Sequence, residues 1–547
     1  MSLVKSGQTI LLRWLTVFLV LLSAFVMGTT LAYAQSTGGR LLKQSTESSP
    51  VQPLTATELA DLGDPFFNLV LKDRADATNL ATIEALIQPN DKLRETFVVD
   101  ERLQDFSPGQ TRRAVLAFRG KNNNEFLSPN VMLSVKFDSD NFSDTPELIE
   151  AWGWDDNRGR FNYYQLDREQ TGSLSWKFRG SSDGADNLSP QAREGTCMLC
   201  HINGAPVMKE LLLPWNNWHD AESVHYLEPG HPNSWSVASD RKLDSDRLKP
   251  AYALFSSIVP AIRQFNSRRI DALTHSVGDT VQVIDGKRLL KPLFETTEFN
   301  IISSEQTSRL HPFSSSTDLP TKEIQIPNSF FLNANLIAGG GLLNYQGLDI
   351  TESREFASVA IQPADYENLV QAAGVKLADR QPGDAHFAWL VPEPSHIDND
   401  IVSQLIEREI LPREFVAAVM AIDLETPILS PARKKLLDFV PDRFQIKPDN
   451  DLMPQTIAAL EQANPPNESP ENEFLEILKS EDPVALLRNK VNEYLNREKA
   501  LLDNPDTKFT ELNRLYALAV ERRKAILNDE ILGSLDETGG KLLFPVP

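Results

Sequence analysis

Cysteine is nearly absent from this chain of 547 residues; there are two, Cys197 and Cys200. That scarcity excludes a disulfide framework, which needs several bridges spread along the chain. A zinc site of four ligands would have to recruit His219, His225 or His231, because no second Cys pair exists. Positive charge is also in deficit, with 54 Lys and Arg against 76 Asp and Glu, a net charge of −22. So acidic a protein is a poor candidate for nucleic acid or anionic lipid; the charge either steers basic partners, at a rate that falls with salt, or serves solubility alone. A phosphate-binding glycine loop is missing as well. Gly339-Gly340-Gly341 has no following Lys-Ser/Thr and reads as a tight loop. The acidic run Asp155-Asp156-Asn157-Arg158-Gly159 lacks the spaced ligands and closing Glu of a calcium loop and reads as a hairpin turn.

What the chain does have is the run Cys197-Met198-Leu199-Cys200-His201. Two intervening residues keep both thiols on one side of a tight turn, within reach of the two porphyrin vinyl groups. The next residue then carries an imidazole to the iron as proximal axial ligand. One covalent haem c on Cys197 and Cys200, with iron bound by His201, is the expected cofactor. A dithiol redox pair is the main alternative, but it usually sits in a βαβ unit. The upstream residues 186–196 (DNLSPQAREGT) are polar and do not read as a strand. A zinc site or a small structural disulfide completes the alternatives. The motif resembles those of c-type cytochromes, which implies attachment of haem outside the bacterial cytoplasmic membrane.

Residues 1–34 agree with export. Lys5 and Arg13 precede an uncharged stretch from Trp14 to Ala34, no Asp or Glu occurs, and Ala32-Tyr33-Ala34 offers a small-x-small cleavage site before Gln35. This is the pattern of a bacterial Sec-type signal peptide, placing the mature chain in the periplasm or beyond. An uncleaved anchor is the other reading, since the apolar run approaches membrane-spanning length, and it would be the only reason for membrane contact. Cleavage would remove Lys5 and Arg13 and take the net charge from −22 to −24. About 510 mature residues suggest two to four domains, so most of the chain does something besides hold one haem.

The expected fold class is α+β: an antiparallel sheet before the haem c segment, a mixed α+β middle and a helical C-terminal region. Residues 35–110 read as a leader and N-terminal segment, polar and flexible to about residue 60, with a helix near Thr78–Ile87. Within a β-rich haem c domain at 111–240, the period-two runs 113–118, 131–137, 148–154, 160–166 and 173–178 predict strands. Six of the eight Trp lie between 152 and 235, namely Trp152, Trp154, Trp176, Trp215, Trp218 and Trp235, joined by Phe161, Tyr163 and Tyr164. Flat aromatics cover a porphyrin face well, although an ordinary aromatic sheet core has the same composition. Residues 241–395 mix short strands and helices. Residues 396–547 read as helical: Pro412 opens one helix, Ser430-Pro431 caps and starts another, and Asp482-Pro483 begins a long one with Leu486, Leu487, Val491, Tyr494 and Leu495 on one face. Its antiparallel partner spans 509–527. Between the helices begun at Ser430-Pro431 and Asp482-Pro483, residues 441–472 carry six Pro and read as a linker or an irregular crossing.

The distal iron ligand separates electron transfer from catalysis, because an open sixth position admits small molecules. His219 is the favoured distal ligand, eighteen residues beyond His201 and past a redirecting Pro214. Met208 is close in sequence for a wrap around the porphyrin edge; His225 and His231 follow, and an open site is the remaining option. Lys209, Asn216 and Asn217 could bond propionates or a distal ligand. A strand Trp176-Lys177-Phe178 ahead of Cys-x-x-Cys-His is similar to the cytochrome P460 group across residues 111–205. That resemblance implies haem c after a β-sheet, oxidation of hydroxylamine or binding of nitric oxide in some members, and a Lys cross-linked to the porphyrin. Lys121, Lys136 and Lys177 are the candidates here. The leading expectation is an exported monohaem cytochrome, with no catalytic residue assigned, passing electrons to or from a redox partner protein that is basic. An oxidoreductase with an open haem, or a haem-bearing sensor or partner-binding protein, are the alternatives.

Overall fold

A computed structural model describes residues 41–44, 50–74, 77–87, 91–100, 112–120, 129–137, 148–168, 172–182, 201, 206, 248–250, 253–295, 299–302, 324–327, 330–332, 358–362, 364–365, 368–369, 391–394, 396–426 and 429–528. The fold is α+β, with a large, mostly antiparallel sheet followed by a helical C-terminal region.

The sheet contains β1 (Leu42–Lys43), β2 (Gln52–Pro53), β3 (Asp91–Asp100), β4 (Arg112–Gly120), β5 (Val131–Phe137), β6 (Leu148–Asp155), β7 (Arg160–Arg168), β8 (Leu174–Ser181) and β9 (Leu248–Pro250). They lie in the order β2-β1-β8-β7-β6-β5-β4-β3-β9. From β3 to β8 the strands are consecutive and antiparallel, whereas β1 joins β8 and β9 joins β3 in parallel. The five runs of period-two sequence are the five strands β4 to β8. The boundary expected at residue 111 falls inside this sheet, since β3 pairs along β4 and β1 extends the far edge. Nor is the expected leader featureless. Thr55 caps α1 (Ala56–Ala60) in a reciprocal capping box with Glu58, and Leu41 and Leu54 are buried.

Side chains alternate across a strand, and this sheet is apolar on both faces. Leu116, Phe118, Leu133, Val135, Ile149, Tyr164, Leu166 and Trp176 face one side, covered by Phe66, Phe67 and Val70 and by Leu80, Ile83 and Ile87 of α2 (Leu80–Ile87). Val115, Ala117, Met132, Trp152, Trp154, Phe161 and Tyr163 face the other. There they meet Leu254, Ile258, Ala261, Ile262 and Phe265 of α3 (Leu254–Leu273). Burying a side chain such as Phe161 contributes about 1.5–3 kcal/mol, so each face is a core in its own right. Trp176 satisfies its indole N–H on the Ala77 carbonyl at 2.8 Å, tying sheet to N-terminal segment.

Helix α3 continues into a second core. Its Ile270 belongs to one cluster with buried residues of the helices that follow: α4 (Gly286–Phe294), α5 (His396–Glu407), α6 (Arg413–Met420), α7 (Pro431–Leu436), α8 (Leu452–Ala463), α9 (Pro470–Leu478), α10 (Pro483–Asp503) and α11 (Pro505–Asn528). Asn266 fastens α3 to α5, donating to the Ile397 carbonyl at 2.8 Å and to Asp400 at 2.9 Å. The middle and C-terminal regions therefore share one core rather than dividing at residue 395. Short ladders accompany it: β10 (Thr274–Val277) with β11 (Thr280–Val283), β12 (Phe299–Ile302) with β15 (Val391–Pro394), and β13 (Ile324–Pro327) with β14 (Ser358–Ile361).

The proline-rich stretch 441–472 is not a linker. It holds β16 (Phe444–Lys447), which pairs with β11, and then α8 and α9. Pro454 falls in the first turn of α8 and Pro470 at the start of α9, where the missing N–H has no intrahelical partner to lose. Ser430, Ser469 and Asp482 each accept a backbone N–H at the start of α7, α9 and α10. In α10, Leu487, Val491, Tyr494 and Leu495 are buried while Leu486 is exposed. The Tyr494 hydroxyl and the Arg522 guanidinium donate to the Phe331 and Phe330 carbonyls at 3.1 and 2.7 Å, clamping that segment against α10 and α11.

Candidate functional site

Of the residues expected to bind haem, His201 is described. Cys197, Cys200, His219, Met208, Lys209, Asn216, Asn217, His225 and His231 lie outside the described residues, as do Lys121, Trp215, Trp218, Trp235 and the triple glycine. His201 is half-buried, and its ring centroid lies 4.9 Å from that of Tyr163 at an interplanar angle of 43°. Among the described residues no group of three or more His, Cys, Asp or Glu could hold a metal ion.

The sheet determines what surrounds that imidazole. Tyr163 lies on β7, directly opposite Trp152 of β6, and Phe161 lies opposite Trp154. All four are on the α3 face and nearly inaccessible to water. Phe161 meets both Trp152 and Trp154 edge-on at 4.7 Å, the T-shaped geometry that aromatic quadrupoles favour. The motif histidine thus lies against Tyr163 of a dry aromatic face. Trp152 and Trp154 belong to it. Trp176 belongs to the opposite core, 5.2 Å from Phe66.

Buried positive charge lies on the same face. Trp176 and Phe178 both pack into the opposite core, so strand alternation puts Lys177 on the His201 side. A bulge in the β7–β8 register pairs Tyr163 with Gly180 and Tyr164 with Phe178, leaving Arg179 as the extra residue. Lys177 and Arg179 share the Asp167 carboxylate at 3.1 and 2.6 Å, and all three reach Gln44 or one another at the sheet edge. Lys177 is thereby engaged as an ammonium in an ion pair, whereas Lys136 is half-buried on β5. Nothing in the sequence marks Asp167 or Arg179, because their meeting depends on a register that a one-residue bulge sets.

The described part of the motif, an imidazole packed on a buried tyrosine of a water-free sheet face, is compatible with a haem c. Were it bound, Cys197 and Cys200 would hold the porphyrin and His201 the iron.

A second buried polar cluster lies on the opposite face. Asp64 is wholly buried and accepts hydrogen bonds from the Tyr164 hydroxyl (2.5 Å), the Asn162 amide (2.8 Å) and the Phe67 N–H (2.9 Å). Asn162 in turn accepts from Ser181 at 2.7 Å. Buried Asp155 accepts from the Gly63 and Arg158 N–H groups at 3.0 and 3.1 Å, fixing the start of the hairpin turn. Burial drives the Asp64 carboxyl above its ordinary range; the Tyr164, Phe67 and Asn162 bonds pull it down without offsetting this, and Asp155 adds to the rise. The Tyr164 hydroxyl is pushed well above 10 by burial and by the neighbouring Asp64. This cluster joins the N-terminal segment to β6 and β7 and does not touch His201's face.

Compared with protein-family models, with curated proteins and with solved structures, the chain matches none.

Proposed function

We propose that the protein is an exported c-type cytochrome with one covalent haem c, held by Cys197 and Cys200 and ligated by His201, and that it passes electrons. The observation that carries this reading is the packing of the motif's own histidine against buried Tyr163, 4.9 Å between rings. A redox cofactor supplies one-electron chemistry; the chain's residues orient it and keep water from it. Tyr163 would restrain the imidazole, and the buried rings of Trp152, Phe161 and Trp154 keep water from the sheet face that Tyr163 shares. In this reading His219 would be the second protein ligand of the iron, and the chemistry supplied would be electron transfer. The net charge of −22 favours a basic redox partner, and the signal-like residues 1–34 favour a periplasmic or otherwise exported location.

The test is covalent attachment. Expressed with a haem c maturation system, the protein should retain haem peroxidase stain on a denaturing gel, and Cys197→Ala/Cys200→Ala should lose it. An exported, folded and colourless parent protein would sink the reading.

A further inference from the structure

We propose that Glu498 of α10 and Glu511 of α11 hold one proton between them and form a latch, which opens when that proton leaves to solvent and loosens α11 from segment 330–332. The latch is independent of the haem c reading and stands or falls apart from it.

Two carboxyl groups from neighbouring helices meet where water scarcely reaches. The Glu498 side chain is 0% exposed and that of Glu511 is 7% exposed. One nitrogen, Arg514 Nη2, lies 3.0 Å from Glu498 Oε2 and 2.6 Å from Glu511 Oε1, so a single donor atom holds both groups side by side. The two carboxyls also hydrogen-bond each other. Ionised carboxylates only accept, so that bond requires a proton on one of them. Counter-charge is divided as well. Arg497 reaches Glu498 Oε1 at 3.0 Å, but Arg497 and Arg514 also serve Glu425, at 3.1 and 3.3 Å. Two partly exposed guanidiniums thus face three carboxyls, and like charges this close resist ionising together. Charged groups around them are committed elsewhere. Arg522 and the Tyr494 hydroxyl donate to main-chain carbonyls, and Asp423, beyond α6, accepts from Ser430. Lys490 pairs with Glu473 of α9, and Lys499 with Asp503 on the exposed side of α10.

The proton matters because α11 carries a clamp. About three turns beyond Glu511, Arg522 donates to the Phe330 and Glu425 carbonyls and covers the Phe330 ring at 4.7 Å. Losing the proton leaves a second buried negative charge between α10 and α11, and separating the helices relieves it. Burial, and then the Glu511 bond, pushes the Glu498 carboxyl up to about 6. Glu511, which burial alone would raise, is held below its ordinary value by its Arg514 and Glu498 bonds. The signs follow from those directions. The Glu498 contribution is fully present below the ordinary 4.5 and is lost as pH rises through about 6. The Glu511 contribution is present above 4.5 and is lost only as pH falls. The latch is therefore tight at about pH 5 and weakened by about pH 7.5.

Amide hydrogen exchange of the full-length protein, read by mass spectrometry on peptides spanning α11, tests the latch at about pH 5 and about pH 7.5. Rates are divided by those of unstructured peptide at each pH, because exchange is itself base-catalysed. Protection of residues 512–516, which include buried Leu512, Leu515 and Tyr516, should fall about tenfold or more from the lower pH to the higher. Glu498→Gln cannot ionise, and its amide donates to Glu511 at every pH. Its α11 should keep at the higher pH the protection that the parent shows at the lower. Glu511→Gln donates to an ionised Glu498 and should also remove the fall, and it decides the matter if Glu498→Gln does not fold. Asp64 is present in all three chains, so its own titration cancels between them. Parent protection that does not change with pH, or a fall in the folded Gln variant equal to the parent's, overturns the latch and leaves the cytochrome reading untouched.

Discussion

Tyr163 and Tyr164 are neighbours in sequence, both buried, and they face opposite cores: the ring of Tyr163 lies 4.9 Å from His201, while the hydroxyl of Tyr164 donates a 2.5 Å hydrogen bond to Asp64. One strand thus carries the site's wall on one side and the tie to the N-terminal segment on the other. The division separates residues expected to govern the cofactor from those that govern stability.

Asp64 should give the fold a pH dependence of defined sign. Its folded carboxyl is raised above the ordinary value of 3.8, so between the two values the folded state holds a proton that the unfolded state has released. That contribution is fully present below the unfolded value and is lost as pH rises through the folded one. Asp64→Asn keeps an acceptor for Tyr164 and cannot ionise, so its stability should be flatter with pH. Urea midpoints from about pH 4 to 8 measure this. An unchanged slope would assign the dependence elsewhere.

Gly153 should not tolerate a side chain. A Cβ there would meet Asp64 Oδ1 at 2.1 Å and its Cγ at 2.8 Å, in the middle of β6. Overpacking of this kind costs about 1–3 kcal/mol, and the displaced carboxyl would also strain its three hydrogen bonds. Gly153→Ala should therefore unfold at clearly lower urea with an unchanged m-value. A midpoint equal to the parent's would mean that Asp64 can move freely.

Ligation can be tested apart from attachment. With His201 and His219 both on the iron, the haem should be low-spin, and the reduced protein should bind carbon monoxide slowly. His219→Ala should become high-spin and bind it fast. A parent that is already high-spin would favour the open-site oxidoreductase, and a low-spin spectrum unmoved by His219→Ala would transfer the role to Met208, His225 or His231.

Local pattern made much of this molecule legible. Strands β4 to β8 were marked by period-two alternation, because a sheet with apolar cores on both faces still alternates its bulky side chains. The starts of α7 and α10 were marked by Ser430-Pro431 and Asp482-Pro483, because a cap and an N1 proline act within one turn. The stretch 441–472 misleads for a related reason: six prolines suggest a linker, yet Pro454 and Pro470 sit in first turns, where a missing N–H costs nothing.

By itself the sequence determined the α+β class, the Cys-x-x-Cys-His spacing of Cys197, Cys200 and His201, the acidic balance and the positions of most strands and caps, since each is set by neighbours a few residues apart. Only the tertiary structure decided that β3 and β1 complete the sheet, that α3 serves two cores, that Tyr163 rather than Tyr164 meets His201, and that Lys177 and Arg179 converge on Asp167. Those outcomes depend on strand register and on which face another element covers, and a one-residue shift such as the bulge at Arg179 reverses every side chain beyond it.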